Sequence, residues 1–250
     1  MRRQAGLDRI MKIGMIRTIA SILVFAGAGC ALDPAEREYI EALRGEETGM
    51  SRQAQIQHID HAITQAPDRP QYWETRGIYH IDLREFAVGI ADFDRAIALR
   101  DRPYLRFLRG LAWCQSGEFD RGLEDLETAV AAEPANTQFY RGRGLARVEV
   151  GHAEAALADG EHLVRLEPHV ATSFYVRGKA RAALGRHEEA IADFTEAIRL
   201  RPELAYPRIA RSESYSHIGD SHRAQDDRDA AKQAIRDPSL CAPCVDPFRY

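Results

Sequence analysis

The chain has 250 residues, of which 45% are hydrophobic and 29% charged, and its formal net charge is −4. This composition is typical of a soluble globular protein that is long enough to bury a sizeable core. The negative balance argues against nucleic acid as a partner, because phosphate binding requires a clustered basic surface. Ala, Leu, Ile, Arg and Glu dominate and alternating runs rich in Val and Thr are absent, which predicts an all-α chain.

A secretory signal pattern stands near the beginning of the sequence. Residues 11–30 read MKIGMIRTIASILVFAGAGC, in which Lys12 and Arg17 supply positive charge around the start of the apolar stretch 19–26. Small residues follow, and then Cys30. A basic region followed by a short apolar region and small residues is typical of a cleaved signal peptide.

We therefore predict a signal peptide over residues 1–29 and a short linker over 30–35. Signals of this kind usually begin with their basic residues, so residues 1–10 are interpreted as an extension from a misassigned start. The alternative is an uncleaved membrane anchor, but the apolar stretch is shorter than the roughly 20 residues that span a bilayer comfortably. Cleavage would leave 29 basic and 37 acidic residues, which further weakens the case for nucleic-acid binding.

The residues before Cys30 resemble the lipobox of bacterial prolipoproteins. Ala28, Gly29 and Cys30 fit that box, while Gly27 stands where the family prefers a branched apolar residue. The resemblance implies that the Cys30 thiol is lipidated and becomes the mature N-terminus. It also implies a membrane-anchored lipoprotein of the bacterial cell envelope that faces the periplasm, with the outer membrane favoured over the inner one.

An internal repeat of 33 or 34 residues runs through the rest of the chain. Its clearest marker is a recurring dipeptide, Arg76-Gly77, Arg109-Gly110, Arg143-Gly144 and Arg177-Gly178, continued by Arg211-Ser212. A second glycine follows seven residues after the marker in four copies, at Gly117, Gly151, Gly185 and Gly219. Apolar residues recur at helical spacing on both sides of that glycine, which predicts two helices joined by a glycine turn. Because one such hairpin cannot bury its own apolar face, the units must stack.

The pattern resembles the tetratricopeptide repeat. Trp73, Tyr140 and Phe174 fill the first aromatic position of that family, whereas Arg106 and Arg208 depart from it. The resemblance implies an all-α, right-handed superhelical solenoid of antiparallel helix hairpins over residues 36–238, followed by a tail over 239–250. We expect six units, at about 36–69, 70–102, 103–136, 137–170, 171–204 and 205–238.

The second helix of the last unit is more polar than its counterparts. Gln225, Arg228 and Lys232 stand where other copies have apolar side chains. Terminal repeats need a polar outer face for solubility, so this helix is interpreted as a cap. A merely decayed repeat would show the same polarity.

A pair of opposite charges recurs in each of five units at a separation of 16 residues. In an antiparallel hairpin such positions face each other, which predicts salt bridges between the two helices; a charged stripe that binds a ligand is the alternative. The pairs are Arg76/Asp92, Arg109/Asp125, Arg143/Asp159, Arg177/Asp193 and Arg211/Asp227.

No sequence motif for catalysis, a cofactor or a metal is recognisable, so we expect a protein that is not an enzyme and uses no cofactor. His58 and His61 are interpreted as part of a solvated helix face. Cys241 and Cys244 form a CAPC sequence in the tail, which favours a structural disulfide in an oxidising compartment. Incidental or intermolecular thiols and a redox or metal function remain open for this pair.

In the tetratricopeptide repeat family the first helices line a concave groove that binds peptides. Carried over by register, the resemblance implies a partner-binding groove with an apolar and aromatic N-terminal half. Its members are expected to be Ile78, Ile81, Tyr104, Phe107, Leu111, Leu145, Tyr175 and Tyr206.

The leading interpretation is a non-enzymatic scaffold of the cell envelope that binds a protein or peptide segment in this groove. No nucleic acid and no small-molecule substrate are expected. Two alternatives stay open: a redox or metal-binding module that uses the CAPC tail, and a membrane-anchored oligomer whose apolar groove covers itself.

Overall fold

A computed structural model of the chain describes residues 33–236, which form two compact units that divide after Arg100. All regular secondary structure in this range is α-helical, so the predicted all-α class is confirmed. The unit before the division contains α1 (Pro34–Thr48), α2 (Arg52–Gln65), α3 (Pro70–Asp82) and α4 (Phe86–Leu99). The unit after it contains α5 (Pro103–Gln115), α6 (Phe119–Ala132), α7 (Thr137–Glu149), α8 (Ala153–Leu166), α9 (Ala171–Ala183), α10 (His187–Leu200), α11 (Ala205–His217) and α12 (Ser221–Arg236).

Consecutive helices pair into six hairpins, and from α3 to α11 the first helix of a pair has 13 residues and the second 14. Helix α1 begins at Pro34, inside the predicted linker, with the Asp33 side chain accepting a hydrogen bond from the Ala35 amide. The predicted signal peptide 1–29, Cys30 and the tail 239–250 with Cys241 and Cys244 lie outside the described residues.

The predicted turn glycines adopt the left-handed conformation that an L side chain disfavours. Gly117 has a φ of 91° and Gly185 a φ of 74°. In the α3–α4 hairpin the same position is occupied by Arg84, which nevertheless adopts a φ of 64°. The turn therefore keeps its geometry in this hairpin even without a glycine.

Small residues on facing helices allow the two backbones of a hairpin to approach closely. A Cβ atom added to Gly110 would lie 2.9 Å from the carbonyl oxygen of Gly122, and one added to Gly122 would lie 2.7 Å from that of Gly110. At Gly77 an added Cβ would meet the Phe93 ring at 2.8 Å. Glycine is therefore required at these contacts by the space available.

Each unit has its own hydrophobic core. In residues 33–100 it is built around Ile59, Tyr72 and Tyr79. In residues 101–236 one cluster surrounds Leu126 and Phe139, and a second surrounds Leu163, Phe194 and Leu204. Burying a side chain of this size contributes about 1.5–3 kcal/mol, so the repeated apolar positions carry most of the stabilisation.

The structure pairs the five arginines and aspartates that the sequence places 16 residues apart. Each arginine donates at least two hydrogen bonds to its aspartate, and the Nη2–Oδ1 distance is 2.6 or 2.7 Å in every pair. The aspartates are buried, with exposed fractions of 3–6%. The carboxylates thus lie on the interface between the two helices of each hairpin, where an unpaired charge would be costly.

Some of these ions have a second partner. Arg147 donates to Asp159 at 2.9 Å and Arg181 donates to Asp193 at 2.8 Å, so these two carboxylates each accept from two arginines. These second arginines are one helical turn beyond the repeat's own arginine, which is why they reach the same carboxylate.

Arg76 instead links two hairpins, since it donates to Asp92 and, at 2.6 Å, to Asp60 on α2. Burial acts to lower the pKa of Arg76, but the hydrogen bonds to Asp92 and Asp60 outweigh it and the pKa is raised. In the last hairpin the hydrogen bond to Asp227 is the main reason that the pKa of Arg211 is raised. Both guanidinium groups therefore stay charged.

Helix α12 buries a narrow stripe of small residues and leaves its other side polar. Ala224, Ala231 and Ala234 are buried, whereas Gln225 and Lys232 are exposed. Gln225 and Lys232 both donate to Asp229, which lies between them on the helix. The polar outer face expected from the sequence is present on this helix.

Among residues 33–236, no helix combines the length and apolar character needed to cross a membrane.

The shared carboxylate of Asp193 generates a test of the ion pairs. Asp193→Ala leaves two half-buried arginines without that acceptor and should cost about 3–5 kcal/mol of unfolding free energy. Arg177→Ala should cost about half as much, because Arg181 still bonds to Asp193. Urea unfolding followed by circular dichroism measures both, together with the double variant, which should lose less than the sum of the single losses. Equal losses for the two single variants, or strict additivity, would contradict the shared pairing.

Candidate functional site

In residues 101–236 the first helices of successive hairpins form one layer. Helix α7 contacts both α5 and α9, and α9 contacts α11, whereas no pair of second helices within the described range is in as extensive contact. Because the first helices lie closer together than the second ones, the surface that they line is the inner, concave one. We call this the inner surface.

Most of the predicted groove residues are not on the inner surface but in the core. Phe107 is 1% exposed, and Leu111, Leu145, Tyr175 and Tyr206 are between 4% and 6% exposed. The prediction that they form an open partner-binding groove is therefore wrong for these five residues.

Stacking of neighbouring hairpins is the reason for their burial. The Phe107 ring of α5 lies 4.9 Å from the Phe139 ring of α7. In the same way the Tyr175 ring of α9 meets the Tyr206 ring of α11 edge-on at 4.5 Å. Aromatic side chains on first helices thus fill the seam between repeats, which is what joins one hairpin to the next.

The other three predicted groove residues are half-buried. Tyr104 lies against the Phe107 cluster, with 6.0 Å between the two ring centroids. In the unit of residues 33–100, Ile78 packs against the core and the Ile81 side chain lies beside Gly89 on α4. Each of these three side chains is only partly accessible to a ligand, because much of its surface packs against neighbouring residues.

The inner surface of residues 101–236 is instead mixed in character. It carries an amide, charges of both signs, and small or branched apolar groups, all half-buried or exposed. One cation is already engaged, since Arg141 donates to Glu167 at 2.7 Å. The accessible members on α7, α9 and α11 are Gln138, Arg141, Val148, Thr172, Lys179, Ala182, Ile209, Glu213 and Ser216.

A pocket of about 140 Å³ opens between α7, α9, α10 and α11. Its buried lining includes Phe194 and Ala210, and half-buried Lys179 and exposed Glu213 also line it. Lys179 reaches it from α9, with Nζ 3.8 Å from Glu149 on α7.

Two histidines that are 30 residues apart in sequence also line this pocket. The imidazoles of His187 and His217 are stacked with centroids 4.4 Å apart and planes within 4° of parallel. Each lies two residues from the turn glycine of its own repeat, at Gly185 and Gly219 respectively. This equal separation from the turn glycine is the one sequence feature that could have suggested contact between the two histidines. It indicates contact only if the two hairpins are known to stack side by side.

The remaining polar candidates have structural surroundings. His58 is within 2.6 Å and His61 within 3.9 Å of the Glu38 carboxylate on α1, measured from each Nδ1. Cys114 is buried, and burial, with a smaller effect from Glu149, raises the pKa of its thiol to about 12. Within the described part of the chain, no three His, Cys, Asp or Glu residues are placed to hold a metal ion.

The helical repeat of this chain matches a known family model and several solved structures. The family model described as "Tetratricopeptide repeat" matches residues 74–136 and 141–205. Among solved structures, MamA MSR-1 is 26% identical, and the alignment covers 67% of this chain and 97% of that one with a TM-score of 0.52.

Two further structures share the fold at lower identity. PilW, described as a widely conserved type IV pilus biogenesis factor, is 16% identical, with 84% of this chain and 98% of that one covered at a TM-score of 0.68. A tetratricopeptide repeat protein from Parabacteroides merdae is 14% identical, with 80% of each chain covered at a TM-score of 0.70. No curated protein matches the chain.

The burial of Phe107 generates a prediction that separates core from surface. Phe107→Ala should lower the unfolding free energy by about 3–5 kcal/mol, because it leaves a cavity between two hairpins. Tyr104→Ala, which removes a half-buried ring on the same helix, is the matched control and should cost distinctly less. Chemical denaturation measures both. A loss below about 1 kcal/mol for Phe107→Ala would show that the ring is not part of the seam.

Proposed function

The chain belongs to the tetratricopeptide repeat family, and from that premise we propose that it is a non-enzymatic scaffold of the bacterial cell envelope that binds a segment of a partner protein. Repeats of this family typically act as protein-interaction scaffolds through an extended concave surface. The fold alone does not specify a partner, so the proposal depends on the surface that this chain presents.

The observation that carries the proposal is the character of the inner surface. Consecutive first helices leave a continuous row of accessible side chains that includes Gln138 on α7 and Thr172 on α9. The row combines hydrogen-bonding groups with apolar groups such as Ile209, which is 37% exposed. Protein interfaces likewise combine apolar anchors with polar rims.

The envelope location is proposed from residues 11–30 alone. Their basic, apolar and small-residue order and the Ala28-Gly29-Cys30 sequence support export and lipidation at Cys30. One acyl signal gives reversible membrane binding, and stable anchoring requires more than one chain. With more than one acyl chain, a lipidated Cys30 would hold the repeats at a membrane surface, where a scaffold would meet membrane-bound partners.

Site-specific cross-linking tests the binding surface. A photoreactive phenylalanine analogue is introduced at Gln138 or Thr172 on the inner surface and, as controls, at Thr128 or Glu154 on second helices, where both side chains are exposed. We expect one partner to be cross-linked from both inner positions and from neither outer position after illumination of intact cells. Cross-linking from the outer positions alone would contradict the proposed surface.

A single substitution tests the anchor. Cys30→Ala removes the thiol that would be acylated, so the variant should move from the detergent phase to the aqueous phase in detergent partitioning. A conservative control, Cys114→Ala, changes a buried cysteine and should leave partitioning unchanged. If Cys30→Ala stays fully in the membrane fraction, lipidation at this position is wrong and an uncleaved anchor is favoured.

A further inference from the structure

The pocket between α7, α9, α10 and α11 opens on the inner surface, and its size limits what it can hold. Its volume is about 140 Å³. An engineered protein cavity of about 150 Å³ accommodates a benzene molecule, so the space fits one side chain of the size of Leu or Phe. The pocket is therefore too small for a cofactor and suited to a single anchor residue of a longer ligand.

The deep part of the pocket is apolar. Phe194 is fully buried and Ala210 is 5% exposed, and Val148 and Ala182 add half-buried methyl groups. The Ser214 hydroxyl is also buried, but it already donates to the carbonyl of Ala210 at 3.3 Å. A charged group placed here would lose its hydration without gaining a partner, so the bottom selects an uncharged apolar side chain.

The rim carries one group of each sign. The Lys179 ammonium has 25% side-chain exposure and only a long contact, 3.8 Å, to Glu149, while Glu213 is exposed on the neighbouring first helix. A charged ligand side chain would be attracted by one of these groups and repelled by the other. A peptide backbone offers one donor and one acceptor per residue and so matches both.

The histidine pair does not form a metal site. The lone pair of an imidazole nitrogen lies in the ring plane, and the rings of His187 and His217 are parallel to within 4°, with their centroids 4.4 Å apart. Their lone pairs therefore cannot converge on one ion, as tetrahedral coordination requires. Within residues 33–236 the Nδ1 of His187 is buried and has no hydrogen-bond partner.

We infer that this pocket is an anchor site for one uncharged apolar side chain, of Leu or Phe size, in a segment of a partner protein. The backbone beside the anchor bonds to Lys179 and Glu213. This inference rests on the proposed function and names the chemistry of the partner at one place on the inner surface.

Blocked amino acids test the pocket without knowledge of the partner. The full 15N-labelled chain is titrated with the N-acetyl methylamides of leucine, phenylalanine, glutamate and lysine, and amide shifts in α9–α11 are followed by NMR. We expect the leucine and phenylalanine probes to shift these amides and to bind about tenfold more tightly than the two charged probes. Equal affinity for all four probes, or no shift with any of them, would overturn the inference.

Substitutions at the rim make the test specific. Ala183→Leu projects a larger side chain over the pocket from an exposed position and should abolish the shifts. Ala192→Leu, at an exposed alanine on α10 that does not line the pocket, should leave them intact. Unchanged binding in Ala183→Leu would show that the probes bind elsewhere.

The outcome separates this inference from the proposed function. If the inner positions cross-link to a partner but the apolar probes do not bind, the pocket assignment fails and the scaffold function stands. If the probes bind at the pocket but a partner is cross-linked from the outer positions alone, the pocket assignment stands and the proposed binding surface fails.

Discussion

The close approach of the two helices in each hairpin is the constraint on which the rest of the structure depends. With Gly110 and Gly122 in backbone contact, the helices of the α5–α6 hairpin lie too near for any larger residue at either position. That proximity brings Arg109, next to the first glycine, within 2.7 Å of Asp125 on the second helix. Close helices also narrow the hairpin, and apolar residues such as Phe107 then reach the seam with the next repeat.

The features that could be predicted from sequence are those fixed within one hairpin. A separation of 16 residues across a turn of constant length determines that Arg177 faces Asp193, and no neighbouring repeat is needed for that deduction. The turn itself holds even where its glycine is replaced. Arg84 takes a left-handed φ, at a strain of roughly 1 kcal/mol, because the packing of both adjoining helices fixes the geometry.

The exposure of the inner side chains could not be predicted in the same way, because it depends on what the next hairpin places against them. The same register position holds Leu111, Leu145, Lys179 and Glu213 in successive repeats. The two leucines are buried in the seams, the lysine is half-buried and the glutamate is exposed. The position has no inherent orientation toward solvent, since leucine there is buried, whereas lysine on α9 and glutamate on α11 stay accessible. The sequence predicts that aromatic residues on first helices, such as Phe107 and Tyr175, bind a partner. In the structure they instead join neighbouring repeats of the protein itself.

Helix α9 shows how the chain can keep stability and binding apart. Arg177 and Lys179 are two residues apart, which places them about 200° apart around the helix. Arg177 points to the interface with α10 and bonds to Asp193, while Lys179 points to the pocket on the inner surface. The ion pairs that hold the hairpins therefore occupy one side of the first helices and the accessible groups occupy the other. The inner surface can consequently change its side chains without disturbing the contacts that define the repeat, and this separation allows one repeat pattern to carry a site specific to this chain.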